Sequence, residues 1–478
     1  MGRSLGHKMA SGVIWATLDK FGNLGIQFIV NLVLARLLYP EEFGVVGILA
    51  IFIAVSNTLV EGGFGSALIQ KKRPTQTDYS TILFWNIGLS TLLYLLLFAA
   101  APAVGRYFAM PVLCDVLRGI GLSLIFTGIT SVQSNRLQKR LEFNTLAATN
   151  IISSVIAGCT AMLLAFRGWG VWSLVALQIM HPLARIFMLY FVSGWLPSLR
   201  FSVKSLRSLF GFGGYLLIAN LLQETCKNIQ GFIIGKRFSA TQMGYFSQAY
   251  KLDNITSYSI PQVIVQVMFP VYSSIQDERQ RLAKLLEMNV RVISFLVFPV
   301  LSLLILSSAP LIDLLYGAKW LPAAPYFRIL CVGGMFVALQ NVNFYAVASC
   351  GKSNVLFWWS FYKWGMLLVL LLLGSLIGME GIMWAMVLSN CNIYVVNAAL
   401  ASRYVGLGFK RQLRVMSVIT LLCASCLAVS LGLIEWCGLS WWCAALTFIV
   451  FYIALSFGVR LRAVGEIQEI ITALRNRK

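Results

Sequence analysis

Apolar residues come in runs of helical length, separated by short polar connections, from one end of the chain to the other. The runs fall near 11–36, 43–60, 79–101, 112–133, 146–165, 171–192 and 209–234, then near 244–270, 290–312, 323–348, 355–377, 381–401, 414–434 and 440–459. A helix needs about 20 predominantly apolar residues to cross a bilayer, and only helices and closed barrels satisfy their backbone there. The pattern predicts an all-α polytopic membrane protein with about 14 transmembrane helices. A count of about 12 or 13 is the alternative, because the runs near 209–234 and 323–348 carry polar residues. Asp19 and Lys20 interrupt the first run and no small-residue cleavage site follows it, so it reads as a span and not as a cleaved signal.

The pattern also repeats. Residues 29–45, IVNLVLARLLYPEEFGV, align with 229–245, IQGFIIGKRFSATQMGY, at a shift of 200 that sets Ile29 over Ile229, Arg36 over Lys236 and Gly44 over Gly244. A second echo, at a shift of 206, sets Ile69-Gln70 over Ile275-Gln276. Spans one to six and seven to twelve then form two pseudo-twofold-related six-helix bundles, with the axis along the membrane normal. The boundaries read as 1–200 for the first bundle, 201–405 for the second, 406–459 for two additional transmembrane helices and 460–478 for a basic tail. Ile467, Ile470, Ile471 and Leu474 predict a short surface helix in that tail, and Asp277–Glu287 predicts an amphipathic stretch along the interface.

Composition agrees with a chain solvated by lipid. Of 478 residues 59% are hydrophobic and 12% charged, with a mean hydropathy of +0.79, whereas soluble domains carry about 25% charge. A net charge of +21 invites a nucleic-acid reading until the cations are placed. Twenty-five of the 38 Lys and Arg fall on connections on the side of the N-terminus, six on the opposite connections and seven inside spans. That alternation is the positive-inside pattern. It predicts that both termini are cytoplasmic and that the excess charge meets anionic membrane lipids, not nucleic acid.

Ionisable groups inside spans cost about 2.5–3.5 kcal/mol each on insertion scales, so they mark function by default. Span one carries Asp19, Lys20, Asn23, Gln27 and Asn31 on one face, and span seven, its repeat partner, carries Asn220, Gln223, Glu224, Lys227 and Gln230. Matching stripes on equivalent helices predict a common cavity near mid-membrane. Arg118, Arg185, Lys251, Arg328 and Lys363 add further cations. Two local pairs at helical spacing are expected, Asp115 with Arg118 and Glu224 with Lys227, while Arg185 and Arg328 read as candidates for snorkelling to the interface. A cavity lined with cations selects an anionic passenger. The substrate-binding candidates are Lys20, Asn23, Gln27, Asn31, Arg118, Gln223, Lys227, Lys251, Arg328 and Lys363.

Other chemistry finds little support. There is no catalytic constellation and no Walker-type phosphate loop, only His7 and His181 are available as imidazoles, and Cys423-x-x-Cys426 sits in an apolar span. No metal and no cofactor is expected, apart from Na⁺ or H⁺ as a coupling ion. Trp169, Trp172, Trp195, Trp320, Trp441 and Trp442 lie near span ends and read as an interfacial belt.

The runs LARLLYPEEFGVVGI (34–48), EGGFGSALIQKK (61–72), DYSTILFWNIG (78–88), RLEFNTLAATNIISSVIAG (140–158), GWGVWSLVALQ (168–178), SVKSLRSLFGFGGY (202–215) and PVYSSIQDERQRL (270–282) together resemble the polysaccharide-exporting flippases. The chain is similar to their colanic-acid and teichuronic-acid exporter type, within the multidrug/oligosaccharidyl-lipid/polysaccharide superfamily. The resemblance implies a MATE-like arrangement of two six-helix bundles plus two C-terminal helices around a cationic cavity. It implies alternating access that carries an undecaprenyl-diphosphate-linked oligosaccharide, of capsular, exopolysaccharide or O-antigen type, across the bacterial inner membrane to the periplasmic leaflet. A glycan polymerase and export machinery are the protein partners it implies. Related transporters use a carboxylate in an early helix for ion coupling, which makes Asp19 and Glu61 candidates here and Glu224 their counterpart in the second half.

Two other functions compete. A cation-coupled multidrug antiporter of the same fold wants a net-acidic cavity, and this chain buries more cations than acids. A polytopic glycosyltransferase or polymerase wants an acidic pair beside a large extracytoplasmic loop; Glu41-Glu42 is such a pair, but the connection at 37–42 is too short to hold an active site.

Overall fold

The computed structural model describes residues 2–459 and 461–466. The tail helix expected from Ile467, Ile470, Ile471 and Leu474 lies outside the described residues. All regular structure among the described residues is helical. In chain order it runs α1 (Gly2–Leu37), α2 (Pro40–Glu61), α3 (Phe64–Gln70), α4 (Gln76–Tyr107), α5 (Val112–Lys139), α6 (Phe143–Phe166), α7 (Val171–Ser193), α8 (Val203–Arg237) and α9 (Ala240–Asn254). It continues with α10 (Ile260–Ser274), α11 (Arg279–Leu306), α12 (Ser308–Tyr316), α13 (Ala324–Ser349), α14 (Ser353–Ile377), α15 (Met379–Tyr404), α16 (Phe409–Cys437) and α17 (Trp441–Gly458). Eleven helices among the described residues are long and apolar enough to cross a membrane. Three more stretches have spanning length but carry polar residues along it, namely α1, α8 and the run from α9 to α10.

That last run was expected as one span near 244–270. The helix instead passes through a π-helical turn at Ile255–Ser259 before α10 begins. Pro261 explains the break: it offers no N–H and its ring clashes with the carbonyl four residues back, so the turn widens there. The stretch Asp277–Glu287 also differs from expectation. From Arg279 it forms the first turns of α11 and does not lie apart along the interface, because Leu282, Leu286 and Val290 continue one buried face into the span.

Two compact units divide the chain at 244/245. In the first, α4 packs on α5, α6 on α7 and on α1, and α2 on α8 and α5. In the second, α15 packs between α13 and α14, and α11 contacts α13 and α16. Each unit is arranged as a body in lipid. Large apolar side chains such as Leu95, Phe191, Leu376 and Trp436 are exposed, while Ser80, Ser153, Ser173, Ser294, Ser308 and Asn343 are fully buried. Lipid provides no hydrophobic drive to join helices, so small and hydrogen-bonding residues make the contacts. Two of the expected belt tryptophans depart from that role. Trp195 is buried against Tyr79 and donates its indole N–H to Gln76 Oε1, and Trp320 is buried against Tyr245 and Tyr316.

One ionic cluster links α11, the start of α16 and Glu466. Arg291 of α11 reaches Glu287 (3.0 Å) and Glu466, and Arg411 at the start of α16 also reaches Glu287 (2.6 Å). Glu42, one of the acidic pair considered above, accepts from the Tyr39 backbone N–H at 2.7 Å and closes the first turn of α2, a capping role.

Candidate functional site

α2 stops at Glu61 because Gly62 and Gly63 follow with φ of 52° and 70°, left-handed values that glycine adopts without a Cβ penalty. The chain turns there into α3, whose Phe64, Ala67 and Leu68 are buried against Tyr79, Ile82, Leu83 and Val132. Glu61 is thereby held on the wall of a cavity of about 660 Å³ inside the first unit. Ala54, Asn57 and Thr58 precede it on the same face of α2, at the three- and four-residue spacing of one helical surface.

The facing wall is α5. Thr127, Thr130, Ser131, Ser134, Asn135 and Gln138 all line the cavity, again at spacings of three and four. Asn135 lies so close to Gly65 that a Cβ there would sit 2.5 Å from its Nδ2, so glycine is what lets α3 approach α5. Asn220 and Glu224 of α8 and Arg185 of α7 complete the polar lining. Arg185 Nε is buried without a hydrogen-bond partner, and among the described residues no carboxylate lies within ion-pair distance of it. It lies within electrostatic reach of Asp19 and Glu61, and Glu61 in turn of Glu224.

The candidates named from sequence fall in several places. Glu61 and Glu224 meet on this cavity; Glu224 also accepts from Lys227 at 2.9 Å, the expected pair. Asp19 does not line it. Its Oδ1 accepts from Asn23 (2.8 Å) and from Asn150 of α6 (2.9 Å), and Asn23 Oδ1 accepts from Ser154 at 2.5 Å. Asn23 is therefore committed at both ends, to Asp19 of its own helix and to Ser154 of α6. Lys20, Gln27, Gln223 and Lys227 are exposed, Asn31 is half-buried, and none of them lines the cavity.

Arg118 lies 4.2 Å over the Phe98 ring and donates to the Phe98 carbonyl at 3.5 Å. The expected Asp115–Arg118 pair is not made; Asp115 is exposed in the first turn of α5, where free backbone N–H groups favour an acid. In the second unit Lys251 is exposed, Arg328 donates to Ser308 Oγ at 2.5 Å, and Lys363 stands 4.5 Å over the Trp364 ring. Cys423 and Cys426 are free thiols buried in α16.

Sequence reasoning named Arg185 as a buried cation yet left it out of the binding set, and passed over the α5 face altogether. The signal was present: residues 127, 130, 131, 134, 135 and 138 are all hydroxyl or amide. It was missed because uncharged Ser and Thr are common in spans and cost little there.

The chain matches the family described as polysaccharide biosynthesis protein over residues 33–325, a segment that encloses every residue of the cavity. It is similar to the teichuronic acid biosynthesis protein TuaB of Bacillus subtilis (strain 168), at 24% identity over 74% of this chain and 74% of that protein. It is similar to the succinoglycan biosynthesis transport protein ExoT of Rhizobium meliloti (strain 1021), at 26% identity over 73% and 71%. Among solved structures it shares its fold with the lipid II flippase MurJ in an inward closed conformation, with a TM-score of 0.74, 15% identity, and 94% of this chain and 99% of that one covered. The likeness read from the motifs between 34 and 282 and the match over the whole of that stretch agree: this multi-pass membrane chain belongs to the polysaccharide biosynthesis protein family.

Proposed function

We propose that the protein is a flippase that carries an oligosaccharide linked to undecaprenyl diphosphate from the cytoplasmic to the periplasmic leaflet of a bacterial inner membrane. It acts as a carrier and not as an enzyme, by alternating access. The observation that supports this most strongly is the enclosure of a large polar cavity within the segment that matches the polysaccharide biosynthesis family. The relatives add weight, one being a transport protein for succinoglycan biosynthesis. In this reading the chain crosses the membrane about 14 times, both termini are cytoplasmic, and Lys20, Lys227, Lys251 and Lys363 hold the diphosphate in turn as the carrier changes state. Na⁺ or H⁺ coupling would act through Asp19, Glu61 or Glu224, and a glycan polymerase would receive the product.

Reconstitution into proteoliposomes tests it. Wild-type protein is expected to move an undecaprenyl-diphosphate-linked oligosaccharide across the bilayer, scored by enzyme access to the sugar from outside, with and without a Na⁺ or proton gradient. The Lys227→Ala, Lys251→Ala double variant should lose at least about tenfold in rate, since one charge-assisted contact alone is worth about that factor. Absence of movement by the wild type, with efflux of a cationic dye in its place, would assign the chain to the multidrug antiporters.

A further inference from the structure

The cavity of the first unit has a chemistry that the diphosphate does not explain. Among the described lining residues two carboxylates, Glu61 and Glu224, stand against one guanidinium, Arg185, with no surplus of positive charge for a doubly charged anion. Among the described lining residues none is aromatic, so they offer neither a stacking face nor a cage for an organic cation.

Four of its five hydroxyl groups, those other than Thr127, are arranged in one sense. Thr58 Oγ1 donates to Ala54 O at 2.8 Å, Thr130 Oγ1 to Thr127 O at 3.0 Å, Ser131 Oγ to Gly128 O at 3.1 Å and Ser134 Oγ to Thr130 O at 2.9 Å. These four hydroxyl protons are spent on their own helices and leave oxygen lone pairs, of which one on Ser131 is taken by the Asn86 Nδ2–H at 2.9 Å. Asn57 Oδ1 is a further acceptor with no partner, and the two carboxylates accept as well. A wall of hydroxyl and carboxylate acceptors, with the amides of Asn57, Asn135, Gln138 and Asn220 and the Arg185 guanidinium as donors, fits a ligand that carries both O–H donors and oxygen acceptors. At about 660 Å³ the space lies within the range of about 300–1,000 Å³ usual for small-ligand sites.

We infer that this cavity is the glycan subsite of the carrier: it receives hydroxyl-bearing, neutral or amino sugar residues of the passenger on the α5 face, apart from the positions that hold the diphosphate. The inference rests on the flippase reading and assigns the part of the substrate that sets specificity. Thr130 and Ser134 are the specificity residues, Asn57 and Glu61 oppose them from α2, and Arg185 supplies the donor for sugar ring or acyl oxygens.

The experiment compares two probes on the full chain in detergent. One is the oligosaccharide released by mild acid from the host's own lipid-linked pool, the other undecaprenyl diphosphate without sugar. Thr130→Val with Ser134→Ala removes two acceptors while preserving shape. It should raise Kd for the released oligosaccharide about tenfold, the worth of one or two neutral hydrogen bonds, and raise Kd for the sugar-free carrier by less than about twofold. Thr130→Ser, which keeps the acceptor, should bind both probes as the wild type does and so controls for folding. Equal weakening toward both probes would mark the cavity as part of the diphosphate site and overturn the inference. So would wild-type protein that binds undecaprenyl diphosphate but not the released oligosaccharide, an outcome that leaves the flippase reading in place. Failure of the wild type to bind either probe, or to move the intact lipid-linked sugar, overturns both.

Discussion

Lys139 shows how a single side chain is used at the basic end of the first unit. Its Nζ donates to the carbonyl oxygens of Leu68 (3.3 Å), Ile69 (2.6 Å) and the capping residue Lys71, carbonyls at the end of α3 that have no partner within the helix. A cation at a helix C-terminus also meets the negative end of the helix dipole. Nearby, Asp78 pairs with Lys71 at 2.8 Å and accepts from the Thr75 backbone N–H at 2.8 Å, closing the first turn of α4. A sequence count places Lys139 and Lys71 among the charges that orient the chain, and they also hold α3 and thereby Glu61 in place. Lys139→Met should therefore destabilise the protein by on the order of 2 kcal/mol, the worth of hydrogen bonds to a charged group. Thermal melting in detergent measures this, and an unchanged midpoint would show the cap to be dispensable.

At the level of the element, close approach of two glycines joins helices. Gly44 and Gly244, matched at a shift of 200, meet in a reciprocal contact between the first turns of α2 and α9. A Cβ on Gly44 would lie 1.7 Å from Ala240 O, and one on Gly244 would lie 1.8 Å from Pro40 O. Small residues four apart let the backbones of two helices touch, and here the obstacle to a side chain is backbone, which cannot swing aside. Gly44→Ala should lower stability by about 3 kcal/mol, the upper part of the range for overpacking. Gly47→Ala, whose Cβ would meet only the flexible end of Met243 at 2.7 Å, should cost clearly less. Comparing melting midpoints of the two variants checks the claim, and equal losses would contradict it. The same scale explains where pattern reading failed. A period of 3.6 residues is blind to a π-helical turn, so the break at Ile255–Ser259 was hidden in an apolar run that continues through it.

For the molecule as a whole, sidedness follows from charge. An alkaline phosphatase fusion in the connection at 167–170 should be active and one at 71–75 inactive, while a green fluorescent protein fused at the C-terminus should fluoresce; the reverse pattern would overturn the proposed orientation. By itself the sequence determined that the chain is a helical, multi-pass membrane protein with a family resemblance. Those properties follow from composition and local periodicity, which need no contact between distant residues. Only the tertiary structure decided which polar groups share a space. It joined Glu61, Glu224 and Arg185 with the hydroxyl face of α5, and it turned Asp19 and Asn23 away to bind Asn150 and Ser154. The physical reason is that a polar stripe records only that a helix hides one face from lipid. Whether that face meets a cavity or another helix depends on packing partners more than a hundred residues away in the chain.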